Sequence, residues 1–412
     1  MGSDILEYRA AKKRDALMRK SLKYRKLCRE LNAVIEKSSG LQKDLQFFYR
    51  KIIPEVLKNS EYSTVFSPTS IFMAFSCIAE MTDGETRGQI LHALGVDDIF
   101  KLREIADLIW RRNNVESNYG CCKLASSVWL NEGYRGKFRK PIIRTLNEKY
   151  HSDVFVGEMG TGGLNQAVQN WVNENTGNQL KRQTLGISLE SDTALALFST
   201  IYYKSEWIDE FDEDETQAAA FHGQSEVSEC QMMYCDTFDQ YFRGEHFGAV
   251  SLALSHAGSM FFVLPDEDVL LDDILGGDDF YELIAQGCNY ENHREVRLQL
   301  YVPKFSIHES TALIPLMQEA GVKEVFNAVD ADFSKFISRG DPLYVSKAEH
   351  AAALEINEQG ASGVAYTEIK MALTDMPHFP DEEIIFKLNR PFLYILRTAD
   401  GSILFAGAIR NL

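Results

Sequence analysis

Residues 358–373 read Glu-Gln-Gly-Ala-Ser-Gly-Val-Ala-Tyr-Thr-Glu-Ile-Lys-Met-Ala-Leu. Every second side chain from Ala361 to Leu373 is small or apolar, and those between are mostly polar. This period of two predicts a β-strand that buries one face. Residues 374–383 contain two prolines and four acidic residues, which predict an exposed loop instead of a hairpin turn. The sequence therefore predicts a segment that lies outside the fold and is able to join a sheet.

The composition of the 412-residue chain is globular, with 45% hydrophobic and 25% charged residues. No apolar run approaches the roughly 18 residues needed to span a bilayer, so no membrane span is expected. No linker or composition break divides residues 41–412. They are predicted to form one domain, preceded by an extension at residues 1–40.

The net charge of −17 is unevenly distributed. Residues 1–40 hold eleven Lys or Arg and five Asp or Glu, a local charge of +6 that leaves −23 for the rest. An acidic body argues against a nucleic-acid partner. The basic extension has apolar residues at helix-like spacing, namely Leu27, Leu31, Val34 and Ile35. It is interpreted either as a solvated helix packed on the body or as an arm that docks on a partner or a membrane surface.

The chain shows no pattern typical of an enzyme or a metal site. Its seven cysteines are odd in number and contain no CxxC pair, which predicts neither a disulfide framework nor bound zinc. No GxSxG, HExxH, GxxxxGK[ST] or GxGxxG motif occurs in a usable context. We therefore predict no enzymatic activity, no cofactor and no metal.

The start Met1-Gly2-Ser3 is typical of an expression vector, and no basic-then-apolar leader follows it. We expect an extracellular or cell-surface location if a targeting segment was removed, and a cytoplasmic location otherwise.

Local patterns predict an α+β fold with antiparallel or mixed sheets. Ser67 is a candidate N-cap and Pro68 suits the first helical position, so a buried helix is expected up to Met81. Asp400-Gly401 lies between two apolar runs and predicts a hairpin with a type I′ turn at this pair. Further helices are predicted at 41–57, 86–94, 138–150 and 167–176, and strands at 124–130, 194–203, 260–264, 296–302, 392–396 and 403–409.

Several ordered motifs resemble the serpin family, and the resemblance extends from about residue 41 to residue 412. The motifs are Val65–Ile71, Tyr202–Trp207, Tyr301–Phe305, Val345–His350, Leu354–Gly360 and Asn389–Phe392. The resemblance implies a fold with three β-sheets, surrounding helices and an exposed reactive-centre loop at about residues 358–385.

The same resemblance implies a secreted, metastable and monomeric suicide-substrate inhibitor of serine proteases. The protease would attack the loop, form a covalent acyl-enzyme with it, and be trapped when the cut loop inserts into the large sheet. The alternative within the family is a non-inhibitory carrier or chaperone. A proline or a charge in the hinge would favour that alternative, and none occurs between Gly360 and Thr367.

The resemblance also assigns residues to the moving parts. The hinge residues are Glu358, Gly360, Ala361, Ser362, Gly363, Val364 and Ala365. The shutter and breach residues are Ser67, Ser70, Ser199, Trp207 and His350. Ser199 stands where the family usually has Asn, and a hydroxyl replaces only part of the hydrogen bonding of that amide.

Counting the family's spacing from Glu358 places the scissile bond at Thr374–Asp375. Counting back from Pro391 gives a later bond, and we prefer the first count because the length of the inserting side decides insertion. Thr374 suits the small apolar pocket of elastase-like or subtilisin-like proteases. The neighbours Leu373 and Met376 are alternatives for a chymotrypsin-like enzyme.

Overall fold

The computed structural model describes residues 40–41, 43–58, 60–117, 120–134, 137–255, 258–338, 342–361 and 382–412. Within them, helices pack around two hydrogen-bonded sheets in an α+β architecture. The helices are α1 (43–57), α2 (Pro68–Met81), α3 (Gly84–Leu94), α4 (Ile99–Asn113), α5 (Lys140–Lys149), α6 (Gly162–Asn175), α7 (Lys181–Thr184), α8 (Leu271–Ile274), α9 (Asp278–Gln286) and α10 (Leu313–Glu319). The strands are β1 (Thr64–Phe66), β2 (Val115–Ser117), β3 (Gly120–Asn131), β4 (Ser152–Gly157), β5 (Leu195–Glu206), β6 (Gln217–His222), β7 (Val227–Arg243), β8 (Phe247–Leu254), β9 (Gly258–Pro265), β10 (His293–Pro303), β11 (Phe305–Ala312), β12 (Val345–Ile356), β13 (Gly360–Ala361), β14 (Glu383–Lys387), β15 (Phe392–Thr398) and β16 (Ile403–Ile409).

The sheet that contains the hinge has seven strands in the order β11-β12-β13-β5-β3-β2, with β4 beside β3. It is the sheet into which the resemblance places the cut loop, and we call it the large sheet although the second sheet has more strands. The pairs β11–β12 and β3–β5 are antiparallel. At the centre, β12 and β5 run parallel and pair directly through Val345–Ala351 and Leu195–Thr200. We call this pairing the central seam. At one end of the sheet the short strand β13 lies between β12 and β5, antiparallel to both.

The second sheet has nine strands, eight of them in the order β1-β16-β15-β9-β8-β7-β10-β14, with β6 beside β7. Strand β7 has 17 residues, which corresponds to a length of about 56 Å. It is long enough to pair with β6 and β10 and also, through Tyr241–Arg243, with β8. Strand β7 therefore belongs to two of the three sheets that the sequence led us to expect. Its pairing on both sides joins those two sheets into one nine-stranded sheet.

Helix α2 occupies the core, and all of its 14 residues are buried. It begins as predicted: the Ser67 side chain accepts a hydrogen bond from the Ser70 backbone N–H, and Pro68 follows the cap. Its Phe72 and Phe75 side chains are fully buried, and burial of each contributes about 1.5–3 kcal/mol. The helix provides the rigid base on which the large sheet rests.

Several predicted boundaries differ from the observed ones for local reasons. Helix α5 begins at Lys140 because Phe138 is bridged to Ile337 and still extended. Helix α6 begins five residues before the predicted 167 because the Thr161 side chain caps it. Helix α4 was not predicted, although Asp98 caps it with bonds to two backbone N–H groups.

No helix among the described residues is long and apolar enough to cross a membrane.

Candidate functional site

The hinge enters the large sheet at β13. Gly360 pairs with Glu206 of β5, and Ala361 pairs with Ser205 of β5 and with Ile356 of β12. A Cβ atom at Gly360 would lie 2.1 Å from the Ser205 carbonyl oxygen, so only glycine allows this approach. Ala361 is fully buried. The first two hinge positions therefore already form a strand between β12 and β5.

Glu358 is held just before β13 by an ion pair and hydrogen bonds. Its carboxylate accepts from Lys304 Nζ at 2.7 Å and from the Thr216 hydroxyl at 2.9 Å. Its backbone carbonyl accepts from the Phe211 N–H at 3.1 Å. Burial alone would raise the pKa of Glu358, but the Lys304 and Thr216 bonds outweigh it and hold that pKa below its usual value. At neutral pH the Glu358 carboxylate is therefore charged, and Lys304 and Thr216 hold it in place.

Trp207 fixes the same entry from the other side. The indole Nε1–H donates to the Asn357 carbonyl at 2.9 Å, and the Trp207 backbone N–H donates to the Gln359 carbonyl at 2.9 Å. The side chain is buried. The breach tryptophan thus holds the backbone on both sides of Glu358.

The shutter residues Ser67, Ser70, Ser199 and His350 form one buried cluster where α2 meets the central seam. The Ser67 backbone N–H donates to His350 Nε2 at 2.9 Å. The Ser70 and Ser199 hydroxyl oxygens lie 2.5 Å apart, and the Ser199 hydroxyl also contacts the Ser70 carbonyl at 2.9 Å. His350 and Ser199 are direct partners across the seam. The cluster therefore ties α2 to both seam strands.

The serine at 199 leaves the cluster incomplete. Because His350 Nε2 accepts a hydrogen bond, the neutral ring carries its proton on Nδ1. Nδ1 is buried and has no hydrogen-bond partner among the described residues. Burial lowers the pKa of His350 to about 4, although the Ser199 backbone opposes part of the shift.

The structure brings most of the described candidate residues into these two places. Ser67, Ser70, Ser199 and His350 meet at the seam, and Trp207 meets Glu358, Gly360 and Ala361 at the entry. Eight candidates lie outside the described residues, namely Ser362, Gly363, Val364, Ala365, Leu373, Thr374, Asp375 and Met376. Lys304 and Thr216 were not predicted as partners of Glu358, although Lys304 lies in the motif Tyr301–Phe305.

Comparisons with known proteins agree with this arrangement. A sequence model of the family described as Serpin (serine protease inhibitor) matches residues 45–412. Antitrypsin of Bombyx mori is 29% identical over 389 residues, which cover 92% of this chain and 96% of that protein. The relative's name supports the prediction of a protease inhibitor instead of an enzyme.

Solved structures share the fold. The thermophilic serpin tengpin in its native state superposes with a TM-score of 0.78 and 18% identity, covering 90% of this chain and 93% of that one. Human thyroxine-binding globulin in complex with its hormone superposes with a TM-score of 0.76 and 21% identity, covering 92% and 99%.

Acid should destabilise the fold through His350. The imidazole of the unfolded chain binds a proton near pH 6.5, and the buried imidazole binds one only near pH 4. The unfolded state therefore binds more protons between these values. The free energy of unfolding should fall as the pH drops below about 6.5, by about 2 kcal/mol at pH 5.

Urea unfolding at pH 7.5 and pH 5 measures this effect. The His350→Gln variant should lose less stability than the unmodified protein between the two pH values. The matched control is His308→Gln, which alters an exposed imidazole on β11 and should keep the full pH dependence. Equal losses in all three proteins would refute the role of His350.

Ser199→Asn should stabilise the fold by about 1 kcal/mol, because the amide oxygen can accept a hydrogen bond from the buried His350 Nδ1. Ser199→Ala should destabilise it by a similar amount, since Ser70 loses its hydroxyl partner. Urea midpoints at pH 7.5 test both changes. An Asn variant less stable than the Ala variant would contradict this description of the cluster.

Proposed function

The chain belongs to the serpin family, and we propose that it is an inhibitory member, a suicide-substrate inhibitor of serine proteases. The protease's serine hydroxyl attacks the carbonyl carbon of Thr374. The Thr374–Asp375 peptide bond breaks, and the new amino group of Asp375 leaves with the proton. An ester then joins Thr374 to the protease. This chain contributes the movement of residues 362–374 into the large sheet before the ester is hydrolysed.

The observation that best supports the proposal is the position of β13. Gly360 and Ala361 already lie between β12 and β5 in the direction that an inserting strand would follow. The central seam below them is closed by only six residue pairs. Insertion of residues 362–374 would extend the strand that Gly360 and Ala361 begin, between the same two neighbouring strands.

The register of β13 gives the following residues definite partners. Ala361 fixes the pairing with both neighbouring strands. Counting on from it in both registers places Thr367 opposite Ser199 on β5 and opposite His350 on β12. These two residues are each other's partners across the seam. An unbroken insertion would therefore separate the shutter cluster at its centre.

Insertion replaces one hydrogen-bonded ladder by two. The inserting segment, residues 362–374, has 13 residues, and no proline interrupts it. Each net backbone hydrogen bond is worth about 0.5–1.5 kcal/mol, so the gain is on the order of 10 kcal/mol. The first side chains with the parity of Ala361 are small enough to enter a packed sheet without overfilling it, namely Gly363, Ala365 and Thr367.

The target is proposed to be an elastase-like or subtilisin-like serine protease, because Thr374 is small and follows Ala372 and Leu373. Residues 41–412 are proposed to be one monomeric serpin domain and residues 1–40 an extension. We place the protein outside the cell or on its surface, with the cytoplasm as the alternative.

A non-inhibitory carrier is the second candidate, because a thyroxine-bound protein shares this fold. Carriers do not need an insertable hinge. The glycine at 360 and the uncharged stretch that follows it favour the inhibitor.

Incubation with elastase, subtilisin, chymotrypsin and trypsin should yield a covalent complex with at least one of them, stable on a denaturing gel. The Ala361→Arg variant should be cleaved with little complex, because its side chain would bury a charge between β12 and β5. At least ten times more of this variant should be consumed per protease inhibited. Mass spectrometry of the released peptide identifies the bond.

Glu368→Arg is the matched control, since it places the same side chain at the opposite parity beyond the hinge, at a position that is already charged, and it should still form the complex. Equal complex formation by both arginine variants would exclude insertion through this hinge. Cleavage of the unmodified protein without any complex would favour the carrier.

Cleavage within residues 371–376 by a non-target protease should raise the melting temperature by more than 10 °C, since the freed strand can insert. Calorimetry of the intact and nicked protein measures the change. Cleaved Ala361→Arg should show a smaller rise. Identical melting of intact and nicked protein would show that no free energy is stored in the native fold.

A further inference from the structure

Strand β14 contributes outward-facing side chains to one edge of the nine-stranded sheet. Among the described residues it pairs with β10 alone, and β10 pairs on its other side with β7. Leu298, Leu300 and Phe386 lie on the inner face of these strands and are buried. Because side chains alternate along a strand, those between them point towards solvent.

The register places aromatic and apolar side chains next to one another on this outer face. Tyr301 of β10 lies opposite Tyr234 of β7 on one side and opposite Lys387 of β14 on the other. The centroids of the two tyrosine rings are 4.9 Å apart. Ile385 lies in the next row and is 66% exposed. We call this surface the exit face; its residues are Tyr234, Tyr301, Ile385 and Lys387.

The charges at the exit face leave one cation without an ion pair. The Arg297 guanidinium is already bound by Asp236 at 2.8 Å and by Glu383 at 3.5 Å. Lys387 is exposed and has no ion pair in the part of the chain that the structure describes. Its Nζ lies 5.5 Å from the centroid of the Tyr301 ring, which leaves its charge open to solvent. The exit face therefore suits a protein surface that carries an apolar side chain beside a carboxylate.

The exit face lies close to the proposed scissile bond. Strand β14 begins at Glu383, eight residues after Asp375. Eight residues span at most about 29 Å. A folded domain of about 250 residues has a radius of gyration of about 18 Å, so its width exceeds this span. A protease that holds residues 374–375 in its active site is therefore within reach of the exit face.

We propose that the exit face is a second contact surface for the protease, which binds there while residues 374–375 occupy its active site. This inference rests on the proposed function and adds a determinant of protease choice outside the loop sequence. The protease places an apolar side chain against Ile385 and Tyr301 and a carboxylate near Lys387. Exposed tyrosines are frequent among the residues that carry most of the binding energy of protein interfaces. Because the contact forms before the cut, it raises the rate of cleavage and leaves the later insertion unchanged.

Rates of loop cleavage test the proposal. Among elastase, subtilisin, chymotrypsin and trypsin, the one that cuts the unmodified protein fastest within residues 371–376 is used. All cut chains are counted, whether they end in a covalent complex or as cleaved protein. Ile385→Asp should lower the second-order rate constant of cleavage at least tenfold, because a charge replaces the apolar centre of the contact. An unchanged rate constant would overturn the proposal.

Val329→Asp is the matched control. Val329 is 90% exposed and lies beside α3, where the Thr86 hydroxyl donates to the Asp330 carbonyl. The substitution therefore adds the same charge at another exposed β-branched residue away from the exit face. It should leave the rate constant unchanged, and an equal decrease in both aspartate variants would show that the effect is not specific to the exit face.

Variants on a second strand separate the contact from an effect on the loop itself, since Ile385 lies on the strand that follows the loop. Tyr301→Thr on β10 should lower the rate constant at least fivefold. Lys387→Glu at an exposed position should lower it at least fivefold at low salt and less at high salt, because an ion pair is screened. This variant also provides a test if Tyr301→Thr does not fold. Rate constants unaffected by both changes would overturn the proposal.

The readout also separates this inference from the proposed function. Ile385→Asp should not change the fraction of cut chains that form a covalent complex. If no complex forms with any of the four proteases, the proposed function fails, and the ratio of cleavage rates still tests the exit face. Sedimentation of the intact protein tests a different occupant. A dimer that Ile385→Asp dissociates would assign the exit face to a second copy of the chain and overturn the proposal.

Discussion

The parallel pairing of β5 with β12 is the constraint on which the large sheet depends. Each of the two strands has an antiparallel partner on its outer side. The seam is therefore the place where neighbouring strands of the sheet run in the same direction. Parallel pairs are slightly less stable per residue than antiparallel ones. A strand entering between them runs antiparallel to both, as β13 does. The sheet therefore has a position at which one more antiparallel strand could pair on both sides, and in the proposed mechanism the 13 residues after β13 occupy it.

The contacts that hold the seam closed are the backbone pairing of β5 with β12 and the buried polar cluster of Ser67, Ser70, Ser199 and His350. Ser67 caps α2 and also donates its backbone N–H to His350, so the start of a core helix and a seam strand share one residue. The Ser70 and Ser199 side chains are small, so little side-chain volume would have to move for the two strands to separate. His350 Nδ1 has no hydrogen-bond partner in the part of the chain that the structure describes, so the cluster is not fully satisfied. In the proposed mechanism the seam has to open, and an incompletely satisfied contact lowers the free energy that opening costs.

The sequence predicted features that depend on neighbours along the chain. The Ser67 cap, the hairpin near Asp400-Gly401 and the period of two after Gly360 are signals of this kind. The cap and the hairpin are observed. The predicted type I′ turn is wrong, because the turn closes with a hydrogen bond from the Gly401 N–H to the Thr398 carbonyl, and of the pair only Gly401 has a positive φ. Helix α4 carried a readable signal, with Asp98 as its cap and Leu102, Ile105 and Ile109 at helical spacing. Contacts between distant residues left no such signal. Lys304 and Glu358 are 54 positions apart, and only the fold shows that they pair.

The residues on both sides of the segment 362–381 are held by β10 or by the residue that directly follows it. In the proposed mechanism, this arrangement determines which half of the cut loop inserts. On the entry side, Lys304 directly follows β10 and holds Glu358. On the exit side, β14 pairs with β10 over five residues, from Arg297 opposite Glu383 to Tyr301 opposite Lys387. The exit strand is therefore part of a ladder with β10, whereas on the entry side the ladder that β13 forms with β12 and β5 ends at Ala361. In the proposed mechanism, the half of the cut loop that continues from Ala361 has two strand edges to pair with once the seam opens, whereas the other half already has its partner. This difference explains why the entry half alone would insert.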